Sequence, residues 1–150
     1  GDRGSSTAKK SMTGVTGRSF FDTNILLYAD DPADVEKRTK ATSLDRAIAD
    51  GTLVVSTQVL TEYYSVSLRK FGADPATLRG RLLRLASLPV VQVDTFIILA
   101  AADRQASAKI SLWDALIVEA ALAAGCTSLI SEDLQAGRRF GDLEIVNPFV

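Results

Sequence analysis

The sequence predicts an α/β fold, a three-layer α/β/α sandwich around a parallel sheet of about five strands. Three observations predict it. Short runs of β-branched and aromatic residues alternate with longer segments of helical periodicity, which is the pattern of βαβ units joined by right-handed connections. The runs are continuously apolar, as in LVV, so both faces of the sheet are expected to be covered. A chain of 150 residues is the size of one ordinary domain and can bury about two thirds of its unfolded surface.

Residues 1–11 (GDRGSSTAKKS) are small, polar and charged without periodicity, and the only methionine is Met12. They are expected to be an expression remnant or a disordered tail, leaving 12–150 as a single domain. Arg18 to Asp22 reads as the first strand. Asp22-Thr23-Asn24 reads as a turn, because Asx and Thr side chains compete for backbone donors, and a short helix through Leu26, Leu27 and Ala29 follows. Asp34 to Asp50 carries Val35, Ala41, Leu44, Ala47 and Ile48 at roughly helical spacing, and Gly51 stops it. Thr52 to Ser56 is the second strand. Thr57 to Phe71 is a helix with Val59, Leu60, Tyr63, Tyr64, Val66 and Leu68 on its apolar face, ended by Gly72.

Pro75 suits the first turn of the next helix, and Pro89 stops it before a third strand at Val90 to Val93. Asp94 opens a helix through Ile97 and Ala101, and Ser111 opens another that runs to Gly125. Thr127 to Ser131 and Leu143 to Val146 are the last two strands. No repeat, linker or second domain interrupts this order.

Composition removes several chemistries. The chain has no histidine, which excludes Ser-His-Asp and Cys-His catalysis and the His-containing zinc sites. Cys126 is alone, so no internal disulfide forms, and a reducing cytoplasm is the expected compartment. No run reaches the roughly 20 apolar residues of a membrane span. A net charge of −1 and a pI of about 5.4 give no global basic signal for nucleic acid. Any catalysis must then run on carboxylates, hydroxyls, lysine or metal-bound water.

Four acids lie where strand-like runs give way to a helix or loop: Asp22, Glu62, Asp114 and Asp133. In an open parallel sheet ligands bind at the carboxyl ends of the strands, so the topology brings these positions together. Each also has a structural role to offer. Asp22 suits an Asx turn or N-cap, and Asp114 forms a capping-box pattern with Ser111. Glu62 sits on a helix with other charges, and Asp133 could cap the segment after the fourth strand, where Glu132 or Asp142 could replace it. Yet Trp113 to Ala124 holds only Asp114 and Glu119 as charges, and an acid in so apolar a helix wants a counterion. Clustered carboxylates repel one another, and a hard divalent cation resolves the conflict.

The runs FFDTNILLYA, TEYY, SLWDALIVEAA and LISEDLQAG resemble the PIN-domain ribonucleases, and among them the VapC-type toxins of bacterial toxin–antitoxin pairs, from Arg18 to Val150. The resemblance implies a sandwich around a parallel sheet and RNA cleavage dependent on Mg²⁺ or Mn²⁺. It also implies a homodimer, neutralised by a cognate antitoxin that inserts near the active site. It places the catalytic and metal-binding quartet on Asp22, Glu62, Asp114 and Asp133, supported by Asn24 and Ser131, and leaves open whether Glu132 contributes, because the family's fourth acid varies in position. Arg69, Lys70, Arg79, Arg81, Arg84, Arg138 and Arg139 are candidates for RNA backbone contacts. Apolar side chains of the helix from Thr57 and of the helix before it are candidates for a dimer or partner surface.

The alternative from another class is a catalytically silent module of the same fold that binds RNA or protein while its acids serve as caps. A phosphate-transferring domain fits less well, because no Asp-x-Asp follows the first strand.

Overall fold

The computed structural model describes residues 17–30, 35 and 43–149. Residues 1–16 and the first part of the expected helix from Asp34, apart from residue 35, lie outside these described residues. The first strand, β1 (Arg18–Phe21), buries Ser19, Phe20 and Phe21 in succession, which requires cover on both faces. Helix α1 (Thr23–Asp30) begins at once, and this corrects the expected turn: Asp22 accepts from the Ile25 amide through its carbonyl and from the Thr23 amide through its carboxylate. The Asp-Thr-Asn segment is therefore the capped first turn of a helix. Helix α2 (Ser43–Asp50) leads into β2 (Leu53–Ser56), whose four residues are all buried.

Ser56 ends β2 and caps α3 (Thr57–Phe71), its hydroxyl accepting from the Val59 amide at 3.3 Å. Gly72 closes α3 in the left-handed conformation, φ 59°, where its amide reaches the Ser67 carbonyl. Asp74 caps α4 (Pro75–Ala86), with Pro75 in the first turn. A short β3 (Val90–Val91) precedes α5 (Thr95–Ala108), capped by Asp94, and α6 (Leu112–Ala123), capped by Ser111. Then come β4 (Cys126–Ile130), β5 (Arg139–Phe140) and β6 (Leu143–Val146).

The sheet order is β3-β2-β1-β4-β6-β5, parallel throughout except for β5, which pairs antiparallel with β6 at the edge. This is the predicted α/β sandwich with one strand more than expected and a shorter third strand. The chain leaves β1 to one side through β2 and β3, then crosses to β4 on the other side. The carboxyl end of β1, beside that of β4, is therefore the switch point.

One core joins the sheet to the helices: Phe20, Val54, Leu129 and Ile145 from the strands meet Val59, Tyr63, Leu78, Val118 and Ala121. Cys126 is buried within it, and burial pushes its thiol up to about 12, which keeps it protonated and unreactive. No helix among the described residues is long and apolar enough to cross a membrane.

Candidate metal and nuclease site

The switch point carries an open cleft of about 230 Å³, and all four acids line it. Each arrives by a different element. Asp22 stands one residue past β1, Glu62 in the second turn of α3, Asp114 in the first turn of α6, and Asp133 in the loop after β4. Thr23, Asn24, Gln58 and Trp113 complete the polar wall and rim, with Val66 and Ile117 as apolar floor.

Asp22 is the buried member, 7% exposed. Its Oδ1 accepts the Thr23 amide at 2.7 Å and its Oδ2 the Ser131 hydroxyl at 2.9 Å. Desolvation outweighs these two bonds and, with the nearby charges of Asp133 and Asp114 adding to it, lifts the Asp22 carboxyl to about 6. Ser131 is fully buried and also accepts the Asp133 amide at 3.2 Å, so one hydroxyl ties the carboxylate after β1 to the loop after β4.

Two short side-chain bonds fix the next pair. Thr23 Oγ1 donates to Glu62 Oε1 at 2.8 Å, and Asn24 Nδ2 donates to Asp133 Oδ2 at 3.0 Å. Asp114 differs: its amide bonds the Ser111 hydroxyl at 3.0 Å, yet no described residue donates to its carboxylate. The reciprocal half of a capping box is not made, and the side chain faces the cleft. Glu119, the other acid of α6, is instead paired with Arg104 at 2.7 Å.

Glu132 does not line the cleft. Its carboxylate accepts the Tyr28 hydroxyl, and the Tyr28 ring meets Phe149 edge-on with centroids 5.3 Å apart. Asp142 lies just before β6, at the opposite end of the strands. None of the seven candidate cations lines the cleft either. Arg81 lies 3.7 Å from Asp30, Arg139 pairs with Glu144 at 3.2 Å, and Arg138 donates to the Ala108 carbonyl and lies over Phe140. Thr23, Gln58 and Trp113 were not singled out as site residues from sequence. The Asp-Thr-Asn run held the signal for Thr23; nothing local marks Gln58 or Trp113.

Among the described residues, no three acids stand close enough together to form a ready coordination shell. The donor set still suits a hard cation. It is all oxygen, it includes a carboxylate that burial leaves short of charge compensation, and no described Lys or Arg lines the cleft to neutralise it.

Fold and cleft together define an α/β domain with a carboxylate site at the switch point of a largely parallel sheet. A sequence model of the PIN domain matches residues 19–139, and the chain belongs to the PIN domain family. No curated protein matches it in sequence. Among solved structures it resembles a chain of a toxin–antitoxin complex from Klebsiella pneumoniae, with 19% identity and a TM-score of 0.64 over 87% of this chain and 97% of that one. It also resembles Mycobacterium tuberculosis VapC20, a sarcin–ricin loop cleaving toxin (18%, 0.60, 74% and 86%). A third likeness is to Neisseria gonorrhoeae FitAcB (19%, 0.62, 87% and 98%). At these identities the likeness is one of fold.

Proposed function

We propose that this protein is a metal-dependent endoribonuclease that hydrolyses RNA phosphodiester bonds as the toxin of a toxin–antitoxin pair. One observation carries the reading: four carboxylates from four separate elements meet in one cleft that, among the described residues, no basic side chain lines. Capping needs no such convergence. The likeness to a chain of a toxin–antitoxin complex supports an antitoxin protein as partner, and a homodimer is the working assembly proposed with it.

Asp22, Asp114 and Asp133 would hold Mg²⁺ or Mn²⁺, with Glu62 completing the set. Mg²⁺ commonly binds through one or two carboxylates and keeps several waters, so a shell of three preformed protein ligands is not required. The bound cation supplies neutralisation of phosphate charge and a water of lowered pKa. The chain's own residues do the positioning. Ser131 and the Thr23 amide hold the Asp22 carboxylate toward the cleft, and Asn24 holds Asp133. Thr23 occupies one oxygen of Glu62 and leaves the other to orient the attacking water. Asp114, without a donor among the described residues, is the carboxylate most open to a cation.

The test is incubation of a mixed RNA pool with purified protein in Mn²⁺ and in EDTA. Cleavage in Mn²⁺ alone is expected; cleavage that persists in EDTA contradicts the reading. A silent module of the same fold draws support from the open spacing of the acids, and it requires that Mn²⁺ give no calorimetric binding signal.

A further inference from the structure

We propose that Trp113 is a base-stacking platform, so that the cleft takes a single-stranded RNA nucleotide whose base lies on the indole face while its phosphate faces the carboxylates. This deepens the nuclease reading and rests on it. Trp113 is the only tryptophan in the chain, and it stands 63% exposed on the rim of the acid cleft. An indole left this open beside a polar site is a ready stacking surface, because every base has a π-face.

The helical turn that carries the indole is held before anything binds. Gln58 Nε2 donates to the Trp113 carbonyl at 3.3 Å, and the Ser111 hydroxyl caps the same helical turn through the Asp114 amide at 3.0 Å. Gln58 supplies a second, independent observation: it lines the same cleft, and its Oε1 is buried with no hydrogen-bond partner among the described residues. A buried acceptor left unmet carries a desolvation penalty, and a ligand donor relieves it once the Gln58 amide turns its Oε1 to the cleft. A nucleotide offers such a donor as its ribose 2′-hydroxyl or an exocyclic amine.

The charge of the cleft leads to the same occupant. Acids line it and, among the described residues, no Lys or Arg does, so the described side chains there offer a phosphate no direct charge attraction. Beyond the cation, stacking is the affinity this cleft can offer to a single strand, and it is tolerant of sequence.

Because no other tryptophan contributes, the emission of Trp113 reads the site directly. Wild-type protein in Ca²⁺ is titrated with short oligoadenylate and with an abasic ribose-phosphate oligomer of equal length. Saturable quenching by oligoadenylate and none by the abasic oligomer is expected. Oligodeoxyadenylate separates the two donors: weaker binding assigns the Gln58 contact to the 2′-hydroxyl, and equal binding assigns it to the base. In cleavage assays Trp113→Ala should raise KM about tenfold or more with kcat and Mg²⁺ affinity retained, and Trp113→Phe should restore most of the loss. Equal quenching by both oligomers, or an unchanged KM in Trp113→Ala, overturns the proposal and leaves Trp113 as surface for a protein partner. Loss of Mg²⁺ binding in both variants also overturns it, by making the role structural. If wild-type protein cleaves no RNA the nuclease reading fails, while the quenching titration still decides the stacking.

Discussion

At Asp22, burial and hydrogen bonding pull in opposite directions, and burial wins: the carboxyl is lifted to about 6 despite two donors. The folded state therefore binds this proton more tightly than the unfolded chain, whose carboxyl titrates near 3.8. The sign follows from linkage. The stability tied to this proton is fully present below about pH 4 and is lost as pH rises through 6, a cost on the order of 2–3 kcal/mol at pH 7 in metal-free protein. Asp22→Asn should flatten that slope and raise the metal-free melting temperature at pH 7; thermal melts from pH 4.5 to 7.5 check it. Glu132 belongs to the same scale. Held by Tyr28 outside the cleft, it predicts that Glu132→Ala keeps cleavage within a few-fold of wild type, whereas a hundredfold loss in single-turnover assays would put Glu132 in the site. Sequence could not choose among Glu132, Asp133 and Asp142, because neighbouring loop acids differ only in where the backbone aims them. The strand break at Asp22 was legible because a polar residue ends a buried run.

Elements were legible where punctuation is chemical. Gly72, Pro75, Asp94 and Ser111 mark helix ends by backbone freedom or capping, and the helices start and stop there. Two features escaped for a physical reason. The strand β5 has two residues, too few to show any period, and exists through its pairing with β6. Asp22 to Asn24 has turn composition, yet Ile25, Leu26 and Leu27 bury against the core and draw the whole segment into α1. The apolar side chains of α3 were candidates for a dimer or partner surface, but Val59 and Tyr63 are core residues and Leu60, Val66 and Leu68 pack against that core. Caps near the cleft couple element to site. Ser111→Ala removes the hydroxyl that fixes the first turn of α6, where Trp113 and Asp114 sit. It should lower stability by about 1 kcal/mol, read by urea unfolding, and weaken Mn²⁺ binding in calorimetry.

Across the whole molecule, the switch in strand order does what no local motif does: it brings residues more than a hundred positions apart, such as Asn24 and Asp133, within 3.0 Å. That convergence was readable as topology from the alternation of strands and helices. The geometry within the cleft was not, because side-chain partners such as Thr23 with Glu62 depend on three-dimensional placement. The exposed apolar surface is likewise a property of the assembled fold. Phe96 and Leu99 on α5 stand 84% and 60% exposed, which makes this helix, rather than α3, the face to probe for self-association. The proposed homodimer predicts that wild type sediments as a dimer and the Phe96→Asp, Leu99→Asp variant as a monomer. Since a cation that binds only the folded cleft stabilises it by mass action, Mn²⁺ should also raise the melting temperature of wild type and not of Asp22→Asn. The most direct test of the central claim is RNA cleavage in Mn²⁺ by Asp22→Asn and Asp114→Asn proteins whose circular dichroism matches wild type. The four-acid cleft predicts that both lose cleavage by at least about a hundredfold, and undiminished cleavage by either folded variant would contradict it.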